Sequence, residues 1–436
     1  MTKIKTFGSL CAGIEAASLV FEPMGLKPLW LSEIAQFPSW FLKEKYGHIN
    51  NVGDMNDIPE KILNKSMECP DLLCGGTPCQ AFSLAGWKNG LNDSRGQLTL
   101  KYIEILECID KVRKERKESN AVFFWENVEG VLKDKTNAFG CFLAGLVGLD
   151  EPIVVDKWPN AGIIHGPKRN VAWRVLDSKY FGLPQQRKRL YVLGGGKKYY
   201  PENYLFEKGD VIDDPLKKIK DNSYSLFENE ANYDRKSTEL QRVIEGNYVE
   251  VFRAYTDCLY AAYGTKWNGN AAAFNGSLFV AQNNRLRRLT PMECERLMGF
   301  PDNYTLLDGC KDTNRYQAVG NSWAVPVIKW IANRLINKKD VIDITNLNHY
   351  TVDKANVYLL RDFNMLNYGE YINASQYPYD YKMKNVLDIV DVKADERFYI
   401  SLKGCSGILR RKLERNAGMN KRLEMVLKNI CSSNQE

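Results

Sequence analysis

Three stretches of this chain combine residue types that can do bond-making chemistry. The first is Leu72-Leu73-Cys74-Gly75-Gly76-Thr77-Pro78-Cys79-Gln80-Ala81-Phe82-Ser83. A lone cysteine is usually a small buried hydrophobe. Cys79 instead sits in a stiff proline turn after two glycines, where a side chain is presented rather than packed. A helix N-terminus or a cation nearby would lower its pKa and make the thiolate available as a nucleophile. The second stretch, Val122-Phe123-Phe124-Trp125-Glu126-Asn127-Val128, ends a hydrophobic run on a carboxylate. Partial burial of Glu126 would keep a proton ready for donation. The third, Gln185-Gln186-Arg187-Lys188-Arg189, precedes another apolar run. Its arginines can donate to a carbonyl oxygen or bind phosphate, or they form a solvated charge cluster.

Earlier in the chain, three turns suit a ligand with sugar and base. Ser9-Leu10-Cys11-Ala12-Gly13-Ile14-Glu15 leads from an apolar run into a helical one. Small residues there let backbone approach a ligand, with helix N-terminal amides as donors. Glu33 follows about 20 residues later, the spacing at which an acid holds ribose hydroxyls. Asp54, in Val52-Gly53-Asp54-Met55, is placed to meet an adenine. Each acid alone is more often a solvated carboxylate, but the ordered set of three points to an adenosine-containing cofactor.

These residues need strands and helices to hold them. Apolar runs predict strands over Phe7–Cys11, Leu29–Glu33, Leu72–Cys74, Val122–Trp125 and Leu190–Leu193. Leu98, Tyr102, Ile105, Leu106, Ile109 and Val112 recur at helical spacing. Strands alternating with helices predict an α/β fold with a doubly wound, mostly parallel sheet, in which ligands sit beyond the carboxyl ends of the strands. The expected organisation is a catalytic and cofactor-binding domain over 1–195, then a loop-rich recognition domain over 196–301. A return segment over 302–340 packs on the first domain, and a basic extension over 341–436 joins the recognition module. The chain has 436 residues, a net charge of +7 and 44% hydrophobic residues, an ordinary globular composition with a mild lean toward a nucleic-acid partner. Eleven scattered cysteines read as reduced thiols, and three distant histidines argue against a metal site. With no secretory signal and no membrane-length apolar run, a cytoplasmic protein is expected.

The stretches around Cys79, Glu126 and Arg187–Arg189 resemble signature motifs of the cytosine-5 DNA methyltransferase family. So do Arg288-Leu289-Thr290-Pro291-Met292-Glu293-Cys294-Glu295-Arg296-Leu297-Met298-Gly299-Phe300-Pro301 and Gln317-Ala318-Val319-Gly320-Asn321-Ser322-Trp323-Ala324-Val325-Pro326. Order and spacing agree from residue 5 to about 335. The resemblance implies a Rossmann-like class I methyltransferase fold and S-adenosylmethionine as cofactor, with S-adenosylhomocysteine as product. It assigns cofactor contacts to Cys11, Ala12, Gly13, Ile14, Glu33, Asp54, Met55, Pro78, Asn321, Ser322 and Trp323. It makes Cys79 the nucleophile at carbon 6 of a flipped cytosine, puts Glu126 on ring nitrogen 3 and the amino group, and puts Arg189 with Arg187 on the carbonyl oxygen. Ala85–Leu91 resembles the family's mobile loop. The family's first motif more often has an aromatic in place of Cys11 and a second glycine in place of Glu15 or Ala16.

Duplex DNA is the expected partner, in a prokaryotic or phage setting, with a restriction endonuclease as functional counterpart and a monomer on DNA. Ser83, Lys266, Arg285, Arg287 and Arg288 are the expected DNA contacts. Relatives often carry, after the Gln-x-Arg-x-Arg run, segments like Asn385-Val386-Leu387-Asp388 and Arg397-Phe398-Tyr399-Ile400-Ser401. Here they follow the final motif, with Gly407-Ile408-Leu409-Arg410-Arg411 and the basic Arg410-Arg411-Lys412 cluster after them, so residues 375–428 are expected to pack beside the 200s and complete the DNA-binding module. The alternatives are a tRNA cytosine methyltransferase of the same fold, a catalytically silent DNA-binding regulator, and a nicotinamide-dependent oxidoreductase. Some ninety residues in the recognition region disfavour the first, and the full set of catalytic residue types disfavours the second. The Pro-Cys and Glu-Asn-Val segments disfavour the third.

Overall fold

Short apolar runs that are hydrophobic on both faces belong in the centre of a sheet covered on both sides. That is where the computed structural model places them. It describes residues 4–77, 96–215, 240–265, 271–337 and 340–432. The described chain divides into two units that interleave along the sequence. The first comprises Met1–Asp177, Lys188–Val211 and Val327–Asp380, and the second Ser178–Arg187, Ile212–Pro326 and Tyr381–Glu436.

The first unit is built on a nine-stranded sheet. Its strands are β1 (Thr6–Leu10), β2 (Lys27–Ser32), β3 (Leu72–Gly75), β4 (Val122–Val128), β5 (Ala161–His165), β6 (Arg169–Asp177) and β7 (Lys188–Gly196). Far along the chain, β13 (Tyr350–Val352) and β14 (Ala355–Leu360) complete it. The order is β13-β14-β5-β6-β7-β4-β3-β1-β2. All five strands expected from sequence are present. The sheet is mixed rather than mostly parallel. β4, β3, β1 and β2 run parallel, whereas β7 pairs antiparallel with β4 and the remaining strands continue antiparallel beyond it. The missed strand β6 carries two wholly buried arginines, a polarity that masks it in sequence.

Those arginines are structural pins. Arg169 donates from Nε and Nη2 to Asp110 at 3.0 and 2.6 Å, tying helix Gly96–Glu115 to the sheet. That helix buries Tyr102, Ile105, Leu106 and Ile109 completely, the face its periodicity predicts. Arg174 donates to the carbonyls of Ser375, Leu205 and Tyr377 at 2.7, 3.0 and 2.9 Å. It thereby holds a small antiparallel sheet of β8 (Glu207–Gly209), β15 (Phe363–Met365) and β16 (Tyr371–Asn373).

The second unit carries a four-stranded antiparallel sheet of β9 (Gln241–Ile244), β10 (Asn247–Val251), β11 (Phe279–Gln282) and β12 (Arg285–Arg288). Helix Pro291–Met298 follows, opened by a capping box in which Thr290 and Glu293 satisfy each other's backbone amides. The C-terminal segment packs on this sheet. Val386 N–H donates to Ala254 O, Ile400 N–H to Leu286 O, and the Gln282 amide to Val392 O. Helices Leu402–Glu414 and Lys421–Ser432 end the described chain. Among the described residues no helix is long and apolar enough to cross a membrane.

Candidate active site

Strand pairing decides which side chains meet at the carboxyl end of β4. Glu126 lies opposite Tyr191 on β7, and Val128 lies opposite Arg189. Glu126 and Arg189 are therefore diagonal neighbours on one face of the sheet. Glu126 Oε1 and Arg189 Nε are 3.1 Å apart, both groups largely buried. The guanidinium supplies a countercharge to the carboxylate that the sequence alone did not pair with it.

Asn127 points to the other face and holds the root of the cysteine loop. Its amide donates to Thr77 O at 3.0 Å. The Thr77 hydroxyl in turn accepts from Trp125 Nε1 at 3.0 Å and bonds the Thr99 hydroxyl at 3.0 Å. Thr77 is thus buried and fixed from three directions, by β4 twice and by helix Gly96–Glu115 once. Pro78, Cys79, Ser83 and the loop Ala85–Leu91 lie outside the described residues. Sequence reasoning missed Thr77 and Asn127 as positioning residues. The signal was present, since both belong to the motifs already singled out.

The end of β1 forms an unusual turn. Cys11, Gly13 and Glu15 all have left-handed backbone, with φ of 51°, 57° and 57°. For non-glycine residues that costs roughly 1–2 kcal/mol each. At Glu15 the cost is offset by hydrogen bonds. Its buried carboxyl accepts from Ser9 Oγ at 3.0 Å and from Ser18 N and Oγ at 2.9 Å each. Burial raises the Glu15 pKa to about 7, against the pull of those three donors. A Cβ at Gly13 or Gly53 would meet nothing within 4 Å, so backbone at both turns borders open space.

Glu33 closes the cradle. Its carboxylate accepts from Gly13 N at 2.8 Å, Ile34 N at 2.9 Å and Ala35 N at 2.7 Å. Asn51 bridges the next turn, accepting from the amides of Glu33 and Gly53 at 3.0 and 3.2 Å. Asp54 caps the turn after it through Asn56 N. The structure brings Cys11, Gly13, Glu33 and Asp54 together. The Cys11 thiol is pushed up to about 12 by burial, then by the charges of Glu33 and Asp54. Burial likewise raises Cys69, Cys74, Cys108, Cys141, Cys294 and Cys405. Ile14 and Met55 have core side chains, and Ala12 contributes backbone, its N–H donating to Ser32 O. Ile34, which sequence reasoning passed over, is 72% exposed beside Glu33, a large apolar side chain facing solvent at a strand end.

In the second unit, Arg187 is engaged by backbone. It donates to the carbonyls of Leu259, Gly320 and Ser322 at 3.1, 3.2 and 2.7 Å. Gln185 does similar work, donating to Leu297 O and accepting from Leu259 N. Asn321 ends helix Asp312–Asn321 and is exposed, Ser322 is buried, and Trp323 is half-buried. Gly320 packs against the backbone of Tyr260 and Ala261, where a Cβ would come within 2.8 Å.

The expected DNA-contacting arginines divide. Arg285 is exposed, forks onto Glu396 and lies over the Tyr399 ring. Arg288 is half-buried over Tyr316. Arg287 does not meet the expectation of a phosphate contact. It is 0% exposed and donates to both oxygens of buried Glu293 at 2.9 and 2.8 Å. Lys266 lies outside the described residues.

A family model for C-5 cytosine-specific DNA methylases matches residues 5–337. The chain belongs to that family. Relatives of this methylase include one from Escherichia phage P1 named DNA N-6-adenine-methyltransferase, 33% identical over 76% of this chain and 61% of that protein. The chain therefore spans less than two thirds of that relative's length. The type II methyltransferase M1.ScrFI of Lactococcus lactis subsp. cremoris is 30% identical over 75% of this chain and 77% of its own. The type II methyltransferase M.SsoII of Shigella sonnei is 30% identical over 76% and 80%. No group of three or more metal-ligating side chains occurs among the described residues.

Proposed function

We propose that this methylase transfers a methyl group from S-adenosylmethionine to carbon 5 of a cytosine in duplex DNA, with Cys79 as transient nucleophile. The observation that carries the reading is the buried Glu126–Arg189 pair on β4 and β7. It sits one residue from the Asn127 contact that fixes the root of the Cys79 loop.

Carbon 5 of cytosine is a poor nucleophile on its own. The Cys79 thiolate forms a bond to carbon 6, and the electron pair of the 5,6 double bond moves to carbon 5. Glu126 holds ring nitrogen 3 and the amino group, stabilising the ring as charge shifts. Arg189 orients Glu126 and lies in reach of the carbonyl oxygen, while Arg187 holds the backbone of 259 and 320–322 in place. S-adenosylmethionine, when bound beside Gly13, Glu33 and Asp54, would supply its sulfonium methyl group as the electrophile for carbon 5 and leave as S-adenosylhomocysteine. Loss of the carbon 5 proton and departure of the Cys79 sulfur restore the ring. A base inside a duplex must first be flipped out, at a few kcal/mol.

The residues of the first unit suit the cofactor. Open space beyond Gly13 and Gly53 admits a ligand, Glu33 and Asp54 offer carboxylates to sugar and base, and exposed Ile34 offers an apolar face to the adenine. Asn321, Ser322 and Trp323 remain assigned to it from the family motif. The second unit, including 381–432, reads the DNA site, with Lys266, Arg285 and Arg288 as contacts, and Ser83 of the first unit is a further contact. The type II names of the relatives favour a restriction endonuclease as functional counterpart.

The phage P1 relative's name brings a second reading, methylation of adenine N6. Nucleoside mass spectrometry of duplex DNA and tRNA incubated with enzyme and cofactor separates them. 5-Methyldeoxycytidine, abolished in Cys79→Ala with the fold intact, is the expected result. N6-methyldeoxyadenosine or methylated tRNA in its place, or transfer by Cys79→Ala, would overturn the proposal.

A further inference from the structure

We infer that the helix pair Leu402–Glu414 and Lys421–Ser432, beyond the family-matched residues, is a second DNA-backbone contact surface that grips duplex phosphates. Residues 402–432 carry eight Lys/Arg against two Glu, so they hold six of the seven excess positive charges of the whole chain. The rest of the chain is nearly neutral. A mild overall excess is thus concentrated in one short stretch of the chain, the footprint of a polyanion partner.

The pair is a built part of the second unit. Cys405, Ile408, Leu423 and Leu427 are buried. Arg422 forks onto the buried carboxylate of Glu250 on β10, at 2.6 and 3.1 Å. Asn420 donates from its side chain to Phe252 O and from its backbone to Phe274 O. These contacts set which faces look outward. On the first helix, Lys403 and Arg410 stand two turns apart on the exposed side, with Ser406 between them. On the second, Lys421 and Lys428 do the same, with Met425 between. The Arg410–Glu414 pair is exposed on both sides at 3.4 Å, and Glu424 is shared by Lys412 and Lys428. The exposed Arg410–Glu414 pair contributes little and yields readily to a phosphate, whereas the Lys412–Glu424 pair is half-buried.

The partner is duplex DNA rather than an acidic protein because the same unit carries the recognition sheet to which the helices are fastened. The inference rests on the DNA reading above. Its test is the salt dependence of DNA binding by the full chain carrying Lys403→Gln, Arg410→Gln, Lys421→Gln and Lys428→Gln. Each phosphate contact contributes about 0.9 to the slope of log K against log salt, so the slope should shallow by about 3–4. Affinity near 0.15 M salt should fall on the order of 10²-fold. A control removes the same charge from the exposed end of helix Gly96–Glu115 and the turn after it, through Lys111→Gln, Lys114→Gln, Arg116→Gln and Lys117→Gln. An unchanged slope, or an equal change in the control, overturns the inference and leaves an acidic protein as the partner of this face. If wild-type enzyme binds DNA but leaves cytosine unmodified, the functional reading fails while the slope still judges the helix pair.

Discussion

Glu126 and Arg189 meet diagonally across the antiparallel β4–β7 pair, with carboxylate oxygen and Nε 3.1 Å apart. A pair held by two adjacent strands has little freedom to separate. Substituting Arg189 by alanine leaves the largely buried Glu126 without its countercharge and frees it to rotate. The expected result is a loss in kcat of about 10²–10⁴-fold, as for removal of a positioned acid–base group. Arg189→Lys should recover part of it, because it restores charge without the guanidinium fork. Single-turnover methylation rates check this, and near-wild-type rates in Arg189→Ala would remove the pair from the mechanism.

Thr77→Val tests the root of the cysteine loop. It deletes the hydroxyl that accepts from Trp125 and bonds Thr99, at nearly constant volume. A displacement of about 1 Å at a reacting group costs on the order of 10²-fold in rate. The expected signature is a lowered kcat with cofactor KM unchanged. A stability loss with kcat intact would make Thr77 structural only.

Glu15 gives a pH dependence with a definite sign. Its pKa rises from an ordinary 4.5 to about 7 in the folded chain. Below 4.5 both folded and unfolded carboxyls are protonated. Between 4.5 and about 7 only the unfolded one is ionised, so the folded state holds the extra proton. Stability therefore falls as pH rises through that window. At about 1.4 kcal/mol per pKa unit the swing is on the order of 3 kcal/mol. Glu15→Gln has no such titration. Its Tm deficit relative to wild type should shrink between pH 5 and pH 8, and parallel Tm curves would exclude Glu15 as the titrating group.

Arg287 and Arg285 are two positions apart on β12 but should respond differently. Arg287→Ala strands buried Glu293 and should cost about 3–5 kcal/mol in denaturant unfolding. Arg285→Gln breaks an exposed pair with Glu396 and should leave stability within about 0.5 kcal/mol. A reversed order would mean that the Arg287–Glu293 pair does not hold β12 to the following helix.

The parallel centre of the sheet was legible in sequence because β3 and the first four residues of β4 are uninterrupted apolar runs and β1 carries only small polar residues between Phe7 and Leu10. The antiparallel half was not. β6 hides behind Arg169 and Arg174, whose partners lie in other elements, and β14 joins β5 from almost two hundred residues away. The turns that follow β1 and β2 were legible residue by residue through Cys11, Glu33 and Asp54. Their bracing was not, because Glu33 accepting from Gly13 is a contact across two strands. Arg287 misled because three arginines in four residues look like a surface patch. The Thr290-Pro291-Met292-Glu293 capping signature, legible in sequence, placed its partner carboxylate close by.

The interleaving of the two units bears on how target preference can be exchanged between relatives. The second unit is assembled from Ser178–Arg187, Ile212–Pro326 and Tyr381–Glu436, with stretches of the first unit between them. A graft confined to the central segment would leave Glu250 facing a foreign tail in place of Arg422, and Gln282 facing one in place of Val392. If the second unit reads the DNA site as proposed, a transplant of specificity has to carry the tail with the centre. Substitutions in one are constrained by the other, although more than fifty residues of shared catalytic scaffold separate them in the gene.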